Sequence, residues 1–165
     1  MTYPPPRYTG DTGEVSARFR PHDTEPDLTY PSGTRVEYLA TGDSTGVQFG
    51  LYRWNMTSTP GGAGLHFHRS FSESFFVLSG TVRLYDGSRE VDAVPGDYLY
   101  VPEGGIHGFD NVSGEPASML ILFSPGGPRE GYFEGLLKLR TGLTMTDEER
   151  DAFYVAHDNI FVPEG

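Results

Sequence analysis

The chain contains no cysteine, which excludes disulfides, thiolate-bound metals and a cysteine nucleophile. It also lacks any apolar stretch approaching the ~20 residues that a membrane-spanning helix needs. The first residues, Met-Thr-Tyr-Pro-Pro-Pro, have neither the basic start nor the apolar run of a signal peptide. From these absences we predict no membrane partner, and we expect a cytoplasmic protein.

Basic side chains are scarce as well. Lys and Arg together number 12 against 23 Asp and Glu, so the formal net charge is −11. Binding to a phosphate backbone requires a basic face, and this composition therefore predicts no nucleic-acid partner.

Turn-forming residues are abundant, with 22 glycines and 13 prolines in 165 residues. This composition favours an all-β domain, and the length fits one domain. Short apolar segments separated by turn signals, such as Asp86-Gly87, predict a β-barrel or sandwich over residues 34–124. The predicted strands are 34–40, 46–56, 64–68, 73–78, 81–86, 89–93, 97–101, 106–110 and 117–124.

The two flanking segments differ from this region. Residues 1–33 are rich in proline and predict an extended N-terminal arm, either disordered or packed on the domain or on a neighbouring subunit. Residues 125–165 predict a C-terminal extension with two short helices. The first covers 132–139 by its apolar periodicity, and the second opens at a Thr146–Glu149 capping box and runs to about His157.

Three residues suggest a metal site. His66 and His68 lie two apart in a predicted strand, so both imidazoles would face one side. Glu73 begins a strongly apolar strand, where a buried carboxylate needs a compensating charge such as a cation. Each signal has an ordinary alternative, because His-x-His is common by chance and Glu73 could be exposed at a strand edge.

The full spacing resembles the two motifs of the cupin superfamily. The positions that match are His66, His68, Glu73 and Gly80 in the first motif, and Gly96, Pro102, Gly104, His107 and Asn111 in the second. One position departs, since Pro60 stands where the first motif opens with glycine. We expect the three glycines to occupy turns, and Asn111 to be a turn or hydrogen-bonding residue and not a ligand.

The resemblance implies a double-stranded β-helix, or jelly-roll barrel, that holds one divalent transition metal ion. The implied ligands are His66, His68, Glu73 and His107, a set that suits Fe, Ni, Mn, Co, Cu or Zn. Four protein ligands leave coordination positions open, as a catalytic site requires. The chain is loosely similar to small quercetinase-like dioxygenases, in which Glu73 would serve both as ligand and as catalytic base.

Strand alternation extends this hypothesis to the surroundings of the ion. If Glu73 points inward, Phe75 and Val77 do too, and Phe109 shares the face of His107. These three residues are the predicted substrate contacts, in a pocket without a charged clamp that would take a small hydrophobic or aromatic molecule.

The opposite face of the same strand carries large apolar residues. Phe76 and Leu78 should point outward, where the N-terminal arm, the C-terminal helices or another subunit would cover them. Because cupins are often dimers, the resemblance implies a homodimer.

Two other functions remain open at this stage. One is a polyketide cyclase or isomerase in which zinc acts as a Lewis acid. The other is a non-catalytic protein that binds a metal or a small molecule.

Overall fold

Two antiparallel β-sheets form the protein in the computed structural model, which describes residues 2–162. The strands are β1 (Leu28–Thr29), β2 (Arg35–Ala40), β3 (Gly50–Met56), β4 (Gly61–Phe67), β5 (Ser72–Ser79), β6 (Val82–Tyr85), β7 (Glu90–Ala93), β8 (Tyr98–Val101), β9 (His107–Asn111), β10 (Ala117–Ser124) and β11 (Ile160–Phe161). The helices are α1 (Gly42–Thr45), α2 (Arg129–Arg140) and α3 (Asp147–Ala156).

One sheet has the strand order β1-β2-β3-β10-β5-β8, and the other has the order β11-β4-β9-β6-β7. The inward side chains of β10 show why the sheets hold together, since Met119, Ile121 and Phe123 are at most 1% exposed and alternate with less buried neighbours. The predicted all-β jelly roll is confirmed.

Strand β5 follows the predicted alternation. Phe75 and Val77 are fully buried, whereas Phe76 and Leu78 are each 40% exposed on the outer face. The inward and outward assignments made from the sequence are therefore correct, and they fix the side of the sheet on which Glu73 lies.

The turn residues of the two motifs also behave as expected. Gly80, Gly96 and Gly104 have φ angles of 70°, 98° and 81°, a region that side chains rarely adopt. Asn111 is fully buried, and its amide nitrogen donates hydrogen bonds to the carbonyl oxygens of Thr57 and Glu115. It is a hydrogen-bonding residue that closes the turn before β10.

The structure corrects two predicted strands and adds two. Strand β4 begins at Gly61, three residues before the predicted start, and ends at Phe67, so His68 lies just after it. Residues 46–49 are not part of β3, because a Thr41 capping box starts α1 and Val47 then takes a φ of 63°. Strand β1 pairs with β2, so the last residues of the predicted arm join the sheet. Strand β11 pairs with β4 and brings the C-terminal segment beside the barrel. Residues 2–27 contain neither helix nor strand.

Both predicted C-terminal helices are present. Helix α2 begins three residues before the predicted start, directly after Pro128. Helix α3 has the expected capping box, in which the Thr146 hydroxyl accepts from the Glu149 amide and the Glu149 carboxylate accepts from the Thr146 amide. Tyr132 and Phe153 stack at 5.7 Å between ring centroids and join the two helices.

Met1 and residues 163–165, which belong to the predicted arm and C-terminal extension, lie outside the described residues. Within the described part of the chain, no helix is both long and apolar enough to cross a bilayer.

Candidate metal centre

The four residues predicted as ligands converge inside the barrel. Their nearest ligand atoms all lie within 4.8 Å of one another, and all four residues are buried. Strand pairing explains the convergence, since His66 on β4 lies opposite His107 on β9. His68 follows β4, and Glu73 enters from β5 in the facing sheet.

Backbone carbonyls orient the three imidazoles. The Nδ1 atoms lie 2.8, 2.5 and 2.9 Å from carbonyl oxygens, pairing His66 with Gly64, His68 with Asp158 and His107 with Gly105. A carbonyl oxygen can only accept, so each Nδ1 carries a hydrogen and each neutral ring keeps a lone pair on Nε2. This is the tautomer that a metal-binding histidine needs when its second nitrogen is anchored.

Glu73 makes the site anionic. Its Oε2 lies 2.9 Å from Nε2 of His68 and 2.8 Å from Nε2 of His107. Burial alone would raise the pKa of Glu73, but where a proton on the His107 or His68 ring is shared with the carboxylate, that hydrogen bond holds the pKa of Glu73 below its usual range. The pKa of His66 is lowered to about 3 by burial and by the neighbouring His107, which leaves His66 neutral.

The residues fit a metal ion. Neutral Nε2 atoms and a carboxylate are all acceptors, so their close approach requires either a proton on a ring or a cation between them. Burial opposes charging the rings, although the contact with Glu73 raises the pKa of His107 overall. Three imidazoles and one carboxylate are a donor set for a divalent transition metal.

A cavity of about 260 Å³ opens beside His66 and Glu73. Its walls are mainly aromatic, formed by Trp54, Phe109, Phe123, Tyr132, Phe133 and Phe161. A second cavity of about 340 Å³ adjoins it and shares Trp54, Phe109 and Arg140 among its lining residues. Together they offer a small molecule an apolar approach to the four-residue cluster.

The three predicted substrate contacts are placed differently from one another. Phe109 lines both cavities. Phe75 and Val77 are fully buried and do not border either cavity. The ring of Phe75 lies 5.9 Å from that of His107 and 5.8 Å from that of Phe109, so Phe75 supports the site from within the core.

The sequence predicted a pocket without a charged clamp, but the structure places one buried arginine in it. Arg129, the first residue of α2, lines the inner cavity and is only 4% exposed. Its Nη1 donates to the His157 carbonyl at 2.8 Å, and its Nη2 donates to Asn159 Oδ1 at 3.0 Å. Burial lowers the pKa of Arg129, and the nearby charge of Glu73 raises it. The sequence signal available for Arg129 was its position directly after Pro128, where a helix is expected to start.

The C-terminal segment contributes a second group that the motifs did not indicate. The Asp158 carbonyl binds His68, and its carboxylate accepts from the Arg69 amide, the Ser70 amide and the Ser70 hydroxyl. Asp158 has a φ of 53°, a conformation that Asp tolerates better than most residues. The adjacent pair Asp158-Asn159 was the only local hint of such a turn.

Comparison with known proteins agrees with this architecture. Residues 54–123 match the family described as Cupin domain. The chain is 30% identical over 76 residues to quercetin 2,3-dioxygenase of Bacillus subtilis (strain 168), and the match covers 41% of this chain. It spans only 23% of the length of that enzyme.

Two solved structures share the fold. KdgF from Halomonas sp. has a TM-score of 0.59 at 17% identity, over 72% of this chain and 99% of that one. The polyketide cyclase RemF from Streptomyces resistomycificus has a TM-score of 0.55 at 24% identity, over 68% of this chain and 82% of that one. At these identities both likenesses show the fold alone.

Proposed function

Because residues 54–123 match the Cupin domain family, we propose that the chain is a metal-dependent dioxygenase acting on a small hydrophobic or aromatic substrate. The observation that carries the proposal is the buried His66, His68, Glu73 and His107 cluster, which borders an aromatic-walled cavity. The partial similarity to quercetin 2,3-dioxygenase supports the choice of reaction class.

The chain's own residues supply positioning and proton transfer. The four ligands would hold the ion, which when bound supplies Lewis acidity and, if redox-active, electron transfer. The aromatic wall at Trp54 and Phe109 orients a planar ring and excludes water from the cavity. The site thus brings an apolar substrate beside the metal cluster.

Glu73 is the proposed base. Its Oε2 contacts both His68 and His107, while its Oε1 makes no hydrogen bond within residues 2–162. Glu73 lines the cavity, so a substrate hydroxyl placed there would lie beside its carboxylate. It can therefore accept the substrate proton while remaining in the ligand set.

Metal content and oxygen uptake test the proposal. Protein purified without a metal-binding tag should contain a near-stoichiometric redox-capable metal by plasma mass spectrometry, and His66→Ala should contain none. With quercetin as the first probe, Glu73→Gln should lower oxygen uptake by on the order of 10²–10⁴-fold and lower metal content far less. Glu103→Gln, an exposed glutamate, is the matched control and should change neither.

Two results would contradict parts of this proposal. Equal losses of metal and turnover in Glu73→Gln would mean that Glu73 is only a ligand. Absence of metal from the wild-type protein would remove the metal-dependent mechanism altogether.

The same donor set is equally suited to zinc. With zinc bound, the site would fit a rival function, that of a Lewis-acid cyclase or isomerase. Zinc content with turnover but no oxygen consumption would support that rival. Stoichiometric metal without turnover of any tested substrate would support a non-catalytic binding protein.

A further inference from the structure

We propose that Arg129 makes the inner cavity selective for an organic anion, so that the substrate is an aromatic molecule carrying a carboxylate or phenolate. This inference rests on the proposed function only in placing the substrate in this cavity.

The first argument is the charge of the cavity wall. Its charged lining residues are Glu73, Arg129 and Arg140, apart from the histidines. Glu73 is engaged with His68 and His107. Arg140 is exposed to solvent, so Arg129 is the buried positive charge of this wall, and a bound divalent ion would add to it. An anionic ligand is the complement that such a low-dielectric wall favours.

The second argument is the environment of Arg129 itself. A buried guanidinium is costly unless an anion pairs with it, yet no carboxylate lies within ion-pair distance among the residues described. Its two hydrogen-bond partners, a carbonyl and an amide, are neutral. Its Nε has no partner within residues 2–162.

Aromatic rings provide the remaining support for this charge. The guanidinium carbon lies 4.4 Å from the ring centroid of Tyr132 and 4.9 Å from that of Phe123. Such contacts stabilise a cation without neutralising it. A purely structural role, tying α2 to the C-terminal segment, accounts for both Nη atoms but gives the guanidinium no direct ion-pair partner among the described residues.

Shape restricts the anion further. The inner cavity of about 260 Å³ is bounded by Trp54 and Phe109, whose rings meet edge to face at 5.8 Å. Trp54 also has an indole nitrogen without a partner among the described residues. A ring of the ligand would pack on this wall, with its anionic group towards Arg129 and a second oxygen available to the metal cluster.

Trp54 makes binding directly measurable, because it is the single tryptophan and lines both cavities. We would titrate metal-free protein with 3-phenylpropanoate and with the uncharged isostere 3-phenylpropanamide, following tryptophan fluorescence. A hydrogen bond to a charged group is worth about 1.5–3 kcal/mol, so the carboxylate should bind roughly ten- to hundredfold more tightly. Because no turnover is needed, the result is readable even if the dioxygenase proposal fails.

Two variants separate the buried arginine from the exposed one. Arg129→Met should bring the carboxylate-to-amide affinity ratio close to one, whereas Arg140→Gln should leave most of the preference in place. The preference should also persist at about 1 M salt, which screens exposed charges far more than buried ones. Arg129→Lys retains the charge and should retain part of the preference, which keeps the test decisive if Arg129→Met does not fold.

Several results would overturn the inference. Equal affinities of the wild-type protein for the acid and the amide would remove the anion selectivity, and failure to bind either would remove the ligand site. A preference that survives in folded Arg129→Met, or disappears in Arg140→Gln or at high salt, would assign the selectivity to other charges.

Discussion

Asp158 offers a sharp test of how the C-terminal segment controls the metal centre. Its carboxylate accepts from three donors, the Arg69 amide, the Ser70 amide and the Ser70 hydroxyl, at 2.9, 2.7 and 2.6 Å. Its carbonyl accepts from Nδ1 of His68 at 2.5 Å. Replacement of Asp158 by glycine removes the carboxylate but keeps the backbone carbonyl. His68 therefore keeps its hydrogen-bond acceptor, but the side-chain contacts that hold this carbonyl in place are lost.

The expected magnitudes follow from these contacts. Asp158 is only partly buried, so each of its three hydrogen bonds contributes about 1 kcal/mol. Glycine relieves roughly 1 kcal/mol of strain at a φ of 53°. We therefore expect Asp158→Gly to lower the free energy of unfolding by about 2 kcal/mol, measured by urea denaturation. Loosening a group that orients a ligand should weaken zinc binding by about tenfold, measured by competition with a chelating dye.

Asp86 provides a matched control. Its Oδ1 accepts from the Ser88 amide, the Ser88 hydroxyl and the Arg89 amide, the same three kinds of donor, in the hairpin between β6 and β7. Asp86→Gly, at an exposed position, should destabilise the protein no more than Asp158→Gly and should leave zinc affinity unchanged. If both variants weaken zinc binding equally, or neither does, the reasoning about Asp158 is wrong.

Two further predictions concern packing. Phe75→Ala should lower the free energy of unfolding by about 3–5 kcal/mol, because the ring is fully buried, while Phe19→Ala, which is 90% exposed, should change it little in the same denaturation assay. The exposed face formed by Phe76 and its cross-strand partner Tyr98, which is 63% exposed on the edge strand β8, is the proposed homodimer contact. Light scattering should give twice the monomer mass for the wild-type protein and the monomer mass for Phe76→Glu; a wild-type monomer would refute the dimer.

The motif residues could be placed from the sequence because local periodicity determines them. Two residues along a strand share a face, which put His66 and His68 together, and the alternation from Glu73 separated Phe75 from Phe76 correctly. Placing His107 beside them required the family resemblance, because only the folded barrel brings the second motif next to the first.

Other parts of the site depend on contacts that no local pattern encodes. Arg129 is separated from Asn159 by thirty positions, and the two meet because α3 returns the chain so that β11 pairs with β4. From the sequence, an arginine after Pro128 is most simply an exposed residue at a helix start. Its burial follows from the packing of Tyr132 and Phe133, which had been identified only as an apolar face.

The C-terminal segment therefore links the candidate metal centre to the aromatic-walled cavity. Asp158 holds His68, while the neighbouring His157 carbonyl and Asn159 side chain hold Arg129. Loosening this segment should disturb both the ion and the anion subsite. The two effects can be separated, however. Asp158→Gly removes contacts to residues 69 and 70, whereas Arg129→Met removes contacts to residues 157 and 159. Asp158→Gly should thus weaken zinc binding more than it weakens the preference for a carboxylate, and Arg129→Met should do the reverse.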